Sequence, residues 1–403
     1  MKATGLIVEY NPFHYGHQYH FLQSKEVSGA DCTVAIMSGN FLQRGEPAII
    51  DKWHRAQIAL QSGIDIVLEI PYVFAVQNSD LFAKGAVLSL DALGVDSICF
   101  GSEDGSIEPF VKAHSKLQEH EKDYHESLHE HLKEGLSFPE ASRHAYHKIG
   151  LGDDAIDLGQ PNNILGFSYT KTILEYNLNI KPLTIQRKQS GYHDETIEHK
   201  IASATSIRKE ILSQGYITEE AKGSLPPLTV EALEQYRDLT GSWHEWELYF
   251  PLLQYKISTM SPEELGQIHG VEEGLEYRFK QTIHKANNFQ EWMNLIKTKR
   301  YTWTRLQRTL THILTNTKTE EIESINTINQ VPYVRLLGMT NNGQQYISQQ
   351  KKDMNCPLIT PLHKGEHPFL TIEERAVDSY LSMFKPTIKR ERRNREFMPP
   401  ILP

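Results

Sequence analysis

The chain predicts an α/β fold, a Rossmann-like doubly wound parallel sheet followed by an α-helical C-terminal domain. Three observations carry that expectation. Short apolar runs alternate with longer amphipathic segments over roughly the first two hundred residues, the pattern of βαβ units. After Gly215 the strand signals mostly stop and helical periodicity dominates to the end. The 403 residues, 39% of them apolar, suffice for two or three domains with sizeable cores.

Residues 3–8 (ATGLIV) read as a buried strand, 11–17 (NPFHYGH) as the turn behind it, and 17–28 as a helix. A second strand, 33–37 (TVAIM), leads into a long loop, SGNFLQRGEPAIIDK, which two glycines and a proline keep irregular. A helix at 52–62, a strand at 65–70 (DIVLEI), a helix at 83–93 and a strand at 97–101 (SICFG) repeat the alternation. Residues 106–150 form a polar helical insertion rich in His and acids. A helix at 163–177, a fifth strand at 181–186 and a helix from about 204 to 213 then resume the pattern. In such sheets ligands bind beyond the carboxyl ends of the strands. The Gly/Pro break at 223–228 (GSLPPL) reads as a linker, which divides the chain into 1–215 and 216–403.

A net charge of −9 excludes a protein that coats nucleic acid by bulk charge. The acidic excess lies wholly in residues 1–214, however, and the neutral remainder carries local basic clusters. Three widely spaced cysteines, Cys32, Cys99 and Cys356, suggest neither a disulfide framework nor a structural zinc site. The N-terminal apolar run is too short for a signal segment, and no stretch approaches a membrane span. The expectation is a soluble cytoplasmic protein with no membrane partner.

The most informative residues are Asn11-Pro12-Phe13-His14-Tyr15-Gly16-His17, after the first strand and at the mouth of a helix. Unpaired backbone N–H groups and the helix dipole favour an anion there, and Gly16 leaves room for a phosphate. His14 and His17 can donate to the same phosphate, whose oxygens gain charge in the transition state of attack at phosphorus. A second constellation, Ser203-Ala204-Thr205-Ser206-Ile207-Arg208, offers Ser203 or Thr205 as a helix cap. Arg208, one turn in, is a further phosphate ligand.

HxGH after strand one with SxTxxR after the last strand resembles the HxGH nucleotidyltransferase superfamily, whose members adenylate a substrate with ATP and release pyrophosphate. Five blocks narrow the resemblance: GLIVEYNPFHYGHQYH, MSGNFLQRGEPAIIDKWHRAQIAL, CFGSE (99–103), PNNILGFSY (161–169) and QRKQSGYHD (186–194). In this order they resemble the bacterial tRNA(Met) cytidine acetate ligase family through most of 1–215. In 216–403 the likeness rests on helical character and YVRLLGM (333–339). The resemblance implies an enzyme that activates acetate with ATP to acetyl-adenylate and acetylates N4 of the wobble cytidine of elongator tRNA(Met). Its catalytic residues would be His14 and His17. It implies an ATP pocket from Ile7, Val8, Glu9, Tyr10, Asn11, Pro12, Phe13, His14, Tyr15, Gly16, His17, Gln18, Tyr19 and His20, with Gly101, Asn162 and Arg187. Magnesium would accompany the ATP, held mostly by phosphates and water.

Gly101 ends a strand where only a bare backbone lets a nucleotide lie close, and Arg187 ends another where it can pair with phosphate. Asn162 can cap a helix or bind the nucleotide, and Asn163 can exchange roles with it. In the long loop, Asn40, Gln43, Arg44 and Lys52 lie on the ligand side, and Arg44 or Lys52 can meet acetate, triphosphate or tRNA. Activation as a mixed anhydride needs no nucleophilic Cys or Ser triad, and none is visible. His125 and His129, four residues apart in a segment with seven histidines, have metal-ligand spacing, but the surrounding Lys and Glu indicate a solvated helix. No metal site is assigned.

The window 278–308 sets eight Lys and Arg against one acid and interleaves Phe279, Phe289, Trp292, Tyr301 and Trp303. It reads either as an RNA face with a stacking aromatic or as helices with aromatic cores. The run 385–395 is a second RNA candidate. Two other functions remain open. A small-molecule adenylyltransferase of the NAD or CoA pathway type would leave nearly 190 C-terminal residues without a role. A non-catalytic nucleotide-sensing tRNA-binding protein would bind without releasing pyrophosphate.

Overall fold

The computed structural model describes residues 1–151, 156–187, 202–362 and 367–403. Among these residues seven strands form one sheet: β1 (Ala3–Val8), β2 (Cys32–Ser38), β3 (Ile66–Ile70), β4 (Ser97–Ser102), β5 (Lys181–Gln186), β6 (Val334–Met339) and β7 (Leu358–Ile359). Their order is β5-β4-β1-β2-β3-β6-β7. The first five run parallel, and the central ones have the apolar, doubly covered sequences such a sheet demands: every residue of β2 and β3 is buried, whereas β5 is a half-exposed edge strand. The expected doubly wound sheet with its HxGH turn is therefore what the chain builds. Each of the five expected strands lies within about two residues of its predicted bounds.

The winding direction reverses between β1 and β4. From β1 the chain proceeds through β2 to β3 on one side, then crosses back to place β4 and β5 on the other. That reversal opens a crevice at the carboxyl ends of β1 and β4, the position where doubly wound sheets bind ligands. The His-Gly-His turn follows β1, and Gly101 lies in the last turnward residues of β4. Both edges of the crevice thus carry residues that sequence reasoning singled out.

Two expectations about the C-terminal half need correction. Residues 216–403 are not wholly helical: β6 adds antiparallel to β3, with Leu336 opposite Leu68, and β7 adds parallel to β6. The stretch 223–228 is no interdomain linker either. It joins the helix Glu219–Ser224 to the helix Pro227–Thr240, with Leu225 buried in the turn and prolines at the entry of the second helix.

A buried ionic cluster ties the two halves together. Lys52 Nζ lies 2.8 Å from Glu69 and 3.0 Å from Glu396, and Arg335 lies 2.5 Å from Glu396 and 3.3 Å from Glu69. Trp53 Nε1–H donates to Glu396, and Glu373 accepts from the Tyr72 N–H and the Tyr333 hydroxyl. Lys52 is fully buried here, so the expectation that it meets a ligand is wrong: its ammonium is already taken by two carboxylates. Burial and the neighbouring Glu69 push the Glu373 carboxyl up to about 7. Burial acts the same way on Glu396, but Lys52 and Arg335 outweigh it and hold that carboxyl below its ordinary range.

Candidate functional site

The HxGH turn is built by backbone geometry. Tyr10, buried and in the left-handed region at φ 49°, swings the chain off β1, and His14 is the N-cap of the helix Tyr15–Ser28. His14 Nδ1 accepts the Gly16 N–H at 3.0 Å, and His17 Nδ1 accepts the His14 N–H at 3.3 Å, a reciprocal capping box. The two rings stack with centroids 3.8 Å apart. With each Nδ1 accepting, a neutral ring carries its proton on Nε2 and keeps that N–H as a donor.

Charge at these rings is disfavoured. Burial and the nearby Arg187 and Arg208 guanidinium groups bring His14 down to about 3. Burial, the adjacent histidines and Arg187 hold His17 well below its ordinary value. Burial also brings His20 down to about 4, although its Nε2–H donates to the Cys99 carbonyl, which acts in the opposite direction. A group whose pKa is lowered on folding stays neutral as pH falls through its ordinary value of ~6.5. In nuclear magnetic resonance of the ligand-free protein, His14 and His20 should therefore remain neutral with protonated Nε2 from pH 8 down to pH 5.5. A titration midpoint near 6.5 at either ring would contradict this reading.

Across the crevice, Glu103, Asn162 and Arg187 form a hydrogen-bonded row. Asn162 Nδ2–H donates to Glu103 at 2.9 Å, and Arg187 Nη1–H donates to Asn162 Oδ1 at 3.1 Å. Gly101 makes room for this row, since a Cβ there would lie 3.0 Å from Arg187 Cγ. Asn162 is not a helix cap. Gln160 holds the N-cap position and Pro161 the first turn, while Asn163 donates to the Asp157 carbonyl and does not exchange roles with Asn162. Glu103 belongs to a sequence block noted above but carried no assigned role; only the pairing of β4 with β5 brings it beside Arg187.

Arg208 reaches back to the same turn. Its Nη1–H donates to the Asn11 carbonyl at 2.7 Å and its Nη2 pairs with Glu46 at 2.8 Å. Ser203 is the N-cap of the helix Ala204–Gln214, its hydroxyl accepting the Ser206 N–H; exposed Thr205 is not the cap. Residues 188–194 of the QRKQSGYHD block and Ile201 lie outside the described residues.

The segment 7–20 divides by role. Val8, Tyr10, Asn11 and Phe13 are buried and shape the turn, Asn11 by accepting the Ile49 N–H. Tyr10 also packs edge-on against Phe13 and His17. Pro12 is buried too, whereas Ile7, Gly16, His17, Gln18, Tyr19 and His20 are half-buried and Tyr15 is exposed. Glu9 accepts the Gln43 N–H, and burial raises its carboxyl despite Arg44 and Arg208 nearby. Asn40 accepts the Lys52 N–H and thus fixes the loop.

The other candidates fall differently. In 278–308, Phe279, Phe289, Trp292 and Tyr301 are core residues, so none of these four is a stacking platform. Arg278 donates to the Leu295 and Ile296 carbonyls, Lys280 to the Ile257 and Met260 carbonyls, Arg300 pairs with Glu273 and Arg305 with Glu272. In the C-terminal run, Arg393 pairs with Asp378 and Glu374. His125 and His129 are exposed, and among the described residues no group of three or more His, Cys, Asp or Glu can hold a metal.

Residues 1–396 match the HIGH Nucleotidyl Transferase family. The chain is 52% identical over 403 residues to the tRNA(Met) cytidine acetate ligase of Oceanobacillus iheyensis, covering 100% of each. It is 46% identical over 383 residues to that of Bacillus subtilis, covering 94% of this chain and 92% of the relative. Among solved structures, apo Thermotoga maritima TmcAL superposes with a TM-score of 0.90 at 34% identity, over 100% of this chain and 99% of that one. The same protein bound with alpha-thio ATP gives 0.89 at the same identity and coverage.

Proposed function

Because the chain belongs to the HIGH Nucleotidyl Transferase family and, within it, to the tRNA(Met) cytidine acetate ligases, we propose that it activates acetate with ATP to acetyl-adenylate and acetylates N4 of the wobble cytidine of elongator tRNA(Met). The product is N4-acetylcytidine. The observation that carries this reading is the convergence of His14, His17 and Arg187 on one crevice between β1 and β4.

Acetate is a poor acyl donor, and the exocyclic amine of cytosine is a poor nucleophile because its lone pair is delocalised into the ring. In the first step a carboxylate oxygen attacks the α-phosphorus; the new P–O bond forms as the bond to pyrophosphate breaks. The Nε2–H groups of His14 and His17 donate to the α-phosphate oxygens, whose charge grows at that point. Neutral rings suit this role, because a fixed donor already in place needs no proton transfer. Arg187, oriented by Asn162 and Glu103, and Arg208 supply positive charge along the phosphates. Ser203 supports them by capping the helix that carries Arg208.

In the second step the N4 amine attacks the acetyl carbon, the C–O bond to AMP breaks, and the amine loses a proton to solvent. A magnesium ion accompanying the triphosphate would neutralise charge on the pyrophosphate as it leaves and would be held mostly by phosphate oxygens and water, since no cluster of His, Cys, Asp or Glu among the described residues can hold it. Residues 1–215 hold ATP, and parts of 216–403 hold tRNA. A tRNA-modifying activity fits a cytoplasmic protein, and no helix among the described residues is long and apolar enough to cross a membrane. Incubation with ATP, labelled acetate and total tRNA tests the reading: label should enter tRNA(Met), with one pyrophosphate released per acetyl group. Pyrophosphate release with another acceptor, and no label in tRNA(Met), would contradict it.

A further inference from the structure

The loop 42–46 is a wall with two faces. On one face it meets the nucleotide turn: the Gln43 N–H donates to Glu9 at 2.9 Å, and Glu46 holds Arg208, which also binds the Asn11 carbonyl. On the other face it seats directly on the helix Trp303–Thr315. Gly45 stands at φ +82° with its bare Cα against that helix, where a Cβ would lie 2.4 Å from Arg308 N. Its carbonyl accepts the Thr311 hydroxyl at 2.6 Å. Arg308 is thus held, by backbone contact, one loop's thickness from the nucleotide turn.

Arg308 is half-buried, and among the described residues it meets no carboxylate and no hydrogen-bond acceptor. The charged groups that face it are like-signed, Arg305 and Arg44. Every other arginine of the basic window is already engaged, with a carboxylate or with backbone carbonyls. A partly desolvated guanidinium beside two cations is costly unless an anion completes it. Burial and those two cations push Arg308 down to about 10, which is the same unfavourable balance seen from the titration side.

We infer that Arg308, with Arg44 beside it, holds a phosphodiester of the acceptor RNA next to the nucleotide pocket. The inference rests on the tRNA ligase reading and adds to it a specific contact. A phosphodiester is favoured over the phosphates of ATP because the loop 42–46 stands between the helix that carries Arg308 and the turn that Glu9 and Arg208 hold. An extruded base must be delivered to the mixed anhydride from outside the nucleotide turn, and its flanking phosphate is the anion that arrives with it.

The test is the salt dependence of elongator tRNA(Met) binding to the full-length protein, measured at several potassium chloride concentrations. Each phosphate contact contributes about one unit to the slope of log K against log salt. Arg308→Gln should flatten that slope by about one and weaken binding roughly tenfold at low salt. Arg308→Lys should retain the slope. Lys122→Gln, on the exposed insertion helix Glu121–Lys133, changes net charge equally and should leave the slope unaltered. ATP affinity of Arg308→Gln should change less than twofold.

An unchanged slope in Arg308→Gln overturns the inference. So does a loss of ATP affinity in place of tRNA affinity, which would assign Arg308 to the triphosphate. Binding of tRNA without acetyl transfer by the unaltered protein would sink the ligase reading alone and leave the phosphate contact standing. No binding of tRNA at all would sink both.

Discussion

His17→Ala should lower acetate- and ATP-dependent acetylation of tRNA(Met) by about 10²–10³-fold, the usual loss when one preorganised donor to a developing oxyanion is removed. The loss should fall on kcat and on kcat/KM for ATP alike, because the interaction strengthens only as charge moves onto the phosphate oxygens. Two features of the turn make His17 the more informative of the pair. Its Nδ1 accepts the His14 N–H, and its ring stacks on that of His14, so its removal also loosens the other donor. His17→Asn restores an N–H donor and should recover part of the rate. A variant that loses less than about threefold would remove His17 from the reaction, and one that raises KM alone would reduce it to ground-state binding.

The second large effect is on folding. Arg335→Met should destabilise the protein by about 3–5 kcal/mol, the range for breaking a buried ion pair from one side. Arg335 is 1% exposed and lies against Glu69 and Glu396, which share Lys52 as their other cation. Its loss leaves two buried carboxylates with one positive partner, beside a Glu373 whose carboxyl burial and Glu69 already raise. The comparison is Arg305→Ala, which breaks a partly exposed pair with Glu272 and should cost less than about 1 kcal/mol. Denaturant unfolding of both variants separates the cases. An Arg335→Met cost no larger than that of Arg305→Ala would show that this cluster does not hold the halves together.

That cluster also shows where the sequence stopped being legible. The first four strands were readable because each is a short apolar run between helical patterns, and burial on both faces demands such a run. β6 carries Arg335 at its second position, and an arginine reads as solvent-facing unless its partners are known. Those partners, Glu69 and Glu396, are far away in the chain on either side. For the same reason Lys52, in a loop on the ligand side, read as a ligand contact when it is a core residue.

The candidate site divides along the same line. His14 and His17 were readable because one turn fixes their mutual spacing, and local geometry is what sequence spacing encodes. Glu103 gained no role from sequence because its contact with Asn162 depends on where β4 lies in the sheet. The basic window told less than its composition promised: amphipathic helices place aromatics in the core, and four of its eight cations bind carboxylates or carbonyls. Arg308 stands out only once the partners of its neighbours are known.

The central claim is that a carboxylate oxygen of acetate attacks the α-phosphorus of ATP before the acetyl group moves to RNA. Acetate labelled with heavy oxygen in both carboxylate positions tests this directly, with mass spectrometry of the nucleotide products after turnover on elongator tRNA(Met). One labelled oxygen per turnover should appear in the phosphate of AMP, and none in pyrophosphate. Unlabelled AMP, or label in pyrophosphate or free phosphate, would contradict attack at the α-phosphorus and with it the role given to His14 and His17.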